Sequence, residues 1–116
     1  MLSIVKISKA KIPRFPYHAM MEKVLGGKYD LEVIFATPAM IKKIYRKNTN
    51  VLSFNLSGAQ GQIFLEPNLI KKEAPLYNRS FRDHLWALYV HGLLHLQGFT
   101  HSRGMEIMEK KLCRGI

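Results

Sequence analysis

Runs of hydrophobic residues alternate with polar segments along the chain, and their spacing predicts strands and helices in turn. Short runs rich in β-branched and aromatic residues predict strands at 2–7, 31–36, 51–54 and 62–65. Apolar residues three and four positions apart predict helices at 17–25, 37–46, 80–98 and 103–114, with a short helix or irregular crossing at 67–75. We therefore predict one α/β (α+β) domain over residues 1–116, a mixed sheet of about four strands packed with helices.

Residues with special backbone preferences mark where these helices begin and end. Thr37 before Pro38 predicts a helix start, because the hydroxyl can accept a bond from a free backbone N–H and proline fits the first helical position. Ser80, three residues before Asp83, predicts the start of the longest helix. Gly98 is expected to end that helix, because glycine readily adopts the left-handed conformation.

Two of the predicted helices have an apolar side and a polar side. The apolar side of the second helix is expected to consist of Met40, Ile41, Ile44 and Tyr45. Its opposite side is cationic and consists of Lys42, Lys43, Arg46 and Lys47. The apolar residues of the final helix are Met105, Ile107, Met108 and Leu112.

Composition and charge narrow the classes of function. Hydrophobic residues make up 47% of the chain and charged residues 22%, which is typical of a globular domain and excludes wholesale disorder. The chain has 18 lysines and arginines against 8 acids, a formal charge of +10. This excess favours a polyanionic partner, usually a nucleic acid and sometimes an anionic membrane.

The lengths of the apolar runs and the number of cysteines indicate the compartment and the redox chemistry of the protein. The sequence has no apolar run near the roughly 20 residues of a membrane span, so we expect no membrane partner. Residues 1–6 are expected to form a strand rather than a signal peptide. The single cysteine, Cys113, excludes an internal disulfide and is expected to be a small packing residue. We predict a cytoplasmic protein.

Three of the five histidines fall in one short run, which predicts a metal site. His91 and His95 are four positions apart on the longest helix, so their rings lie on one face a turn apart. Gly98 allows a sharp turn, after which His101 can reach the same ion. The pattern H-x3-H-x2-G-x2-H has the ligand spacing of metzincin zinc sites. Three nitrogen ligands and a water favour one Zn²⁺ ion, with Ni²⁺ or Co²⁺ as substitutes.

The residue after the first histidine distinguishes two kinds of zinc enzyme. Zinc peptidases have a glutamate there as general base, whereas this chain has Gly92. Glycine within a helix costs about 1 kcal/mol relative to alanine, so we expect a steric reason. A side chain there would crowd the strand below or the substrate above. Zinc lowers the pKa of bound water to about 7 even without such a base.

The other two histidines are not expected to bind this metal. His84 lies seven residues before His91, about 10 Å along the helix axis, which is too far for a shared ion. We expect His84 to be buried or to cap a helix, and His18 to lie on the surface.

Three segments resemble motifs of the YbeY family of bacterial zinc-dependent endoribonucleases. The most specific is H-G-x-L-H-L-x-G-F-x-H, which begins at His91. The second is Y-R-x-x-x-N-V-L-S-F, which begins at Tyr45. The third combines G-Q-I at Gly61 with E-A at Glu73. Their order and spacing match the family over most of the chain.

Two acids of the family pattern are replaced in this chain. Thr100 stands before the third histidine, and Gln62 stands in the third segment. A carboxylate that orients a ligand imidazole is therefore either absent or supplied from elsewhere. The segment after Phe54 is also short, with Asn55 where the family usually has proline.

The resemblance implies a metal-dependent ribonuclease that prefers single-stranded RNA. The family acts in ribosomal RNA maturation, at the 3′ end of small-subunit (16S) RNA, and in ribosome quality control. The implied partners are ribosomal RNA and the small ribosomal subunit, with a small-subunit ribosomal protein and the GTPase Era. The histidine spacing itself predicts a zincin-like metal site on the long helix in the C-terminal half of the chain.

We predict Arg46 and His91 as catalytic residues. Arg46 ends the basic helix, and its planar guanidinium suits bidentate contact with the scissile phosphate. The predicted RNA-binding residues are Lys42, Lys43, Arg46, Lys47 and Ser53. Attack by water and attack by the ribose 2′-hydroxyl remain alternatives.

Two other classes of function remain open from the residues. A zinc peptidase is disfavoured by Gly92 and by the charge of +10. A non-catalytic ribosome-assembly factor stabilised by zinc is disfavoured because three protein ligands, rather than four, leave a coordination position open.

Overall fold

The computed structural model describes residues 1–100 and 102–113, which contain four strands, five α-helices and one 3₁₀ helix. The strands are β1 (Leu2–Lys6), β2 (Asp30–Phe35), β3 (Val51–Ser57) and β4 (Gln60–Leu65). The α-helices are α1 (Tyr17–Leu25), α2 (Pro38–Tyr45), α3 (Pro67–Glu73), α4 (Phe81–Gln97) and α5 (Arg103–Cys113). The 3₁₀ helix, Ala74–Tyr77, follows α3. His101 and residues 114–116 lie outside the described residues.

The predicted helix boundaries are confirmed by the caps. Thr37 accepts a bond from the backbone N–H of Met40 at 3.3 Å, at the start of α2. Ser80 accepts from the backbone N–H of Asp83 at 3.1 Å, at the start of α4. Gly98 ends α4 with a φ of 114°, in the left-handed region. The hydroxyls of Thr37 and Ser80 satisfy backbone N–H groups that a helix start leaves without an internal partner.

The four strands form one mixed sheet in the order β1-β2-β4-β3, which confirms the predicted architecture. The strands β1, β2 and β4 are parallel, and β3 runs antiparallel to β4. The turn between β3 and β4 is tighter than predicted, because β3 continues to Ser57 and Gln60 already pairs with it. Within the described residues β3 is an edge strand, so one of its edges faces away from the sheet.

The two faces of the sheet carry cores of different size. Val33 and Ile63 point to the larger core, which α1 and α4 cover. Ile34 and Phe64 point to the opposite face, where Ile41 of α2 packs on them. Because neighbouring residues of a strand point to opposite faces, α2 lies across the sheet from α4. Among the described residues, none of the helices is long and apolar enough to cross a membrane.

The predicted apolar sides of α2 and α5 are buried only in part. Ile41 and Met105 are buried, as expected. Ile44, Tyr45 and Ile107 belong to the same apolar sides but are 41%, 47% and 59% exposed. Both helices lie at the outside of the domain, where the neighbouring elements are too few to cover a whole apolar side.

Candidate metal centre

His91 and His95 face each other on α4, as their spacing predicts. Their Nε2 atoms lie 3.0 Å apart, and their rings are nearly perpendicular, with centroids 4.5 Å apart. Both residues are partly buried. The two nitrogens are therefore brought together by one turn of a rigid helix rather than by flexible loops.

The other ring nitrogen of each histidine has its own partner. His91 Nδ1 lies 3.3 Å from Glu109 Oε2 on α5. His95 Nδ1 lies 3.0 Å from the backbone oxygen of Phe99. In a neutral ring, an oxygen partner that only accepts requires Nδ1 to carry the proton, which leaves Nε2 as an acceptor.

The turn at Gly98 determines the contact between His95 and the backbone oxygen of Phe99. The backbone N–H of Gly98 donates to the oxygen of His95, and that of Phe99 donates to the oxygen of Leu94. These bonds fold the chain back over the last turn of α4, as in other left-handed helix ends. The oxygen of Phe99 is thereby aimed at His95 Nδ1.

The two facing Nε2 atoms are suited to bind a cation between them. Two acceptor lone pairs 3.0 Å apart repel each other unless a proton or a metal ion lies between them. Nitrogens bound at about 2.0–2.1 Å to a tetrahedral zinc ion lie about 3.3–3.4 Å apart, so a small opening of the pair would accommodate it. The nitrogen donors also match the preference of Zn²⁺.

The third predicted ligand, His101, lies outside the described residues. Among the residues that the structure does describe, no group of three His, Cys, Asp or Glu side chains is arranged to hold a metal ion. The described residues thus include two of the three predicted ligands, and the three-histidine set stays a prediction.

The predicted steric reason for a glycine at position 92 is confirmed, and the crowding comes from the strands beneath α4. A Cβ atom at this position would lie 3.1 Å from Ser53 Oγ, 3.1 Å from Ile63 Cδ1 and 3.2 Å from Ile63 Cγ2. The hydroxyl of Ser53 also donates to the backbone oxygen of Gly92 at 3.3 Å. Since Ser53 of β3 and Ile63 of β4 fill the space beside Gly92, the glutamate of a zinc peptidase would fit there only if these side chains shifted.

The second and third motif segments meet in the fold. Asn50 donates through Nδ2 to Glu73 Oε1 at 3.0 Å, which joins the start of β3 to the end of α3. Gln62 donates to Glu32 at 2.8 Å on the neighbouring strand. At Gly61, a Cβ atom would clash with the Tyr29 hydroxyl, so any other residue there would have to displace that side chain. These residues connect the parts of the sheet on which α4 rests.

The basic residues of α2 are exposed and lie on the sheet face opposite the histidines. This surface consists of Lys42, Lys43, Arg46 and Lys47. Arg46 has a φ of 68°, which is uncommon for a residue with a side chain and ends α2 sharply. Ser53, by contrast, lies on the face of β3 that contacts α4. The predicted RNA-binding residues thus form two groups on opposite faces of the sheet, with Ser53 on the face that α4 covers and the basic residues on the other.

The remaining histidines and the cysteine agree with their predicted roles. His84 is 2% exposed, stacks on Tyr77 at 4.8 Å and accepts from Arg79. Burial, with the charge of Arg79, lowers the pKa of His84 and favours the neutral ring. His18 lies on the surface. Burial raises the pKa of Cys113 to about 11, so the thiol stays protonated and unreactive at neutral pH.

Glu109 is the functional candidate that the sequence does not reveal. It lies 18 residues after His91, beyond the turn and on another helix, so no local spacing connects the two. The amphipathic pattern of α5 provides a weak signal, because Glu109 follows Met105 by one helical turn and Met105 is buried.

The four-stranded mixed sheet with its antiparallel edge strand, and the helix that carries two facing histidines against it, define a mixed α+β domain. The sequence profile described as "Endoribonuclease YbeY" matches residues 5–113. The chain therefore belongs to the YbeY family of endoribonucleases, and the resemblance stated from its motifs is confirmed.

Individual relatives agree with this assignment. Endoribonuclease YbeY of Petrotoga mobilis is 27% identical over 113 residues, which cover 90% of this chain and 79% of the relative. Endoribonuclease YbeY of Neorickettsia sennetsu is 34% identical over 112 residues, which cover 80% and 78%. The solution structure of TM1509 from Thermotoga maritima matches 98% of this chain and 87% of that one, with a TM-score of 0.72 and 25% identity. The comparisons favour a nuclease over a peptidase or a non-catalytic assembly factor.

Proposed function

We propose that this chain is a metal-dependent endoribonuclease that cleaves single-stranded ribosomal RNA. The observation that carries the proposal is the pair of Nε2 atoms that face each other at 3.0 Å on α4, in a chain of this family. The formal charge of +10 supports a polyanionic substrate.

We assign one zinc ion to His91, His95 and His101, with a water as the fourth ligand. A bound zinc ion would supply Lewis acidity and lower the pKa of that water. Glu109 and the oxygen of Phe99 would hold the two described imidazoles in the metal-binding tautomer. The catalytic roles of His91 and Arg46 belong to this proposal.

The RNA strand is proposed to cross the open edge of β3. Arg46 and the lysines of α2 lie on one face of the sheet, and the histidines lie on the other. A strand that passes over this edge can meet both groups, with Arg46 on the scissile phosphate and Ser53 toward the sugar or base. The left-handed backbone at Arg46 supports a special role, because such conformations cluster at functional sites.

The physiological setting follows from the family resemblance and is proposed on that basis. It comprises maturation of the 3′ end of small-subunit RNA and ribosome quality control in the cytoplasm. The partners would be the small ribosomal subunit, one of its proteins and the GTPase Era.

Metal analysis coupled to RNA cleavage tests the proposal. Purified protein should contain one zinc ion per chain and should cleave a single-stranded ribosomal RNA fragment, and a chelator should abolish cleavage. Alanine variants of His91, His95 and His101 should lose both the metal and the activity. His18→Ala is the matched control, because His18 is exposed and should leave both unchanged.

Two results would contradict the proposal. Full zinc occupancy in His101→Ala would exclude the three-histidine set. Cleavage of casein, but not of RNA, by the same preparation would favour the zinc peptidase.

A further inference from the structure

The final helix places a carboxylate against a proposed metal ligand. Glu109 Oε2 lies 3.3 Å from His91 Nδ1, and the two side chains are only 21% and 19% exposed. Met105, one turn earlier on α5, is 1% exposed and packs in the larger core. The buried Met105 therefore fixes the face of α5 from which Glu109 reaches α4.

The two histidines are held in different ways. A neutral backbone oxygen holds His95, whereas an ionisable carboxylate holds His91. A carboxylate raises the basicity of an imidazole that donates to it, and the opposite ring nitrogen becomes a stronger metal ligand. The carboxylate also places a negative charge on the far side of the imidazole from a bound divalent cation. The histidine ligands are neutral and would not compensate the charge of that cation.

We propose that Glu109 is a positioning residue that orients His91 and strengthens divalent metal binding. This inference rests on the proposed function. Glu109 is not assigned as a ligand, because it contacts Nδ1, whereas the metal-binding Nε2 lies on the other side of the ring and faces His95. The function of α5 is then to supply this carboxylate across the turn that follows α4.

A neighbouring acid provides a matched control. Glu106 lies on the same helix and lines the same cleft of about 590 Å³ beside His91. Glu106 is exposed, whereas Glu109 is partly buried against the ring. Glu109→Gln and Glu106→Gln remove the same charge and keep the shape of the side chain, so their difference reports the contact with His91.

The experiment measures the zinc dissociation constant of each variant by competition with a chromophoric chelator. Glu109→Gln should weaken zinc binding by about 10–100-fold, as loss of such a carboxylate typically does. Glu106→Gln should stay within about a factor of two of the unaltered protein. The visible spectrum of the cobalt-substituted protein should change in Glu109→Gln alone, and the metal-free proteins should melt at similar temperatures.

Three outcomes overturn the inference. Equal zinc affinity in Glu109→Gln and the unaltered protein, with His91→Ala still metal-free, removes the role of Glu109 but leaves the metal site intact. A fall in the melting temperature of metal-free Glu109→Gln that alone accounts for its weaker binding shows a purely structural contact. Zinc retained at full affinity in His91→Ala overturns both this inference and the metal site itself.

Discussion

Replacing Gly92 by alanine should destabilise the protein, although alanine is the better helix former. The added methyl carbon would lie 3.1 Å from Ile63 Cδ1 and from Ser53 Oγ, and 3.2 Å from Ile63 Cγ2. Carbon atoms normally pack about 3.5–4.0 Å apart, so the side chains of Ser53 and Ile63 must give way by a few tenths of an ångström. Overpacking of this kind costs about 1–3 kcal/mol, whereas the gain in helix propensity returns about 1 kcal/mol. We expect a net loss of about 1 kcal/mol.

Urea denaturation of the metal-free protein, followed by circular dichroism, measures this loss without a contribution from metal binding. Gly104→Ala is the control. A Cβ atom there would lie 3.8 Å from Ser102 Oγ, an ordinary contact, so the same change on α5 should stabilise by several tenths of a kcal/mol. Ile63→Val removes one of the crowding atoms and should reduce the cost of Gly92→Ala in the double variant. Equal stabilisation by Gly92→Ala and Gly104→Ala would refute the steric reasoning.

Three further predictions concern the basic surface and the buried histidine. Arg46→Lys keeps the charge but loses the planar fork, so single-turnover cleavage should slow by about 10²-fold with little change in RNA affinity; equal, small losses in both would make Arg46 a simple phosphate anchor. The slope of log affinity against log salt should fall by about 0.7 for each phosphate-binding lysine replaced by alanine, measured for Lys42, Lys43 and Lys47. Because the pKa of His84 is lowered in the folded state, the unfolded chain binds more protons below about pH 6.5. Acidification from pH 7 to pH 5 should therefore lower the free energy of unfolding less in His84→Gln, and an identical slope would contradict this.

Local signals in the sequence were sufficient to predict the secondary-structure elements and the contact between the two histidines. Thr37, Ser80 and Gly98 act through neighbouring backbone groups, so their caps can be predicted without knowledge of the fold. The spacing of His91 and His95 also determines their contact, because a helix has fixed geometry. Glu109 could not be found in this way, since its contact depends on how α5 packs on α4.

The sheet face that α2 covers could not be predicted from the sequence, for a different reason. The connection from β1 through α1 to β2 joins parallel strands, and such crossovers are almost always right-handed. The connection from β2 through α2 leads to β3, which is antiparallel to β2, so that rule does not apply. The amphipathic pattern of α2 predicts an apolar side but not the sheet face that it covers. The separation of the basic helix from the histidines therefore becomes visible only in the fold.

The packing of α4 explains why the histidine pair does not depend on the metal for its geometry. The sheet lies on one side of this helix, and α1, α3 and α5 also contact it. Leu85, Tyr89 and Leu93 are fully buried, so the rotation of α4 about its axis is set by the core. Gly92 then brings the helix close to β3, and the side chains of His91 and His95 project from a helix that cannot turn. The two proposed ligands would therefore be held in place in the metal-free protein, which would lower the ordering cost of binding an ion.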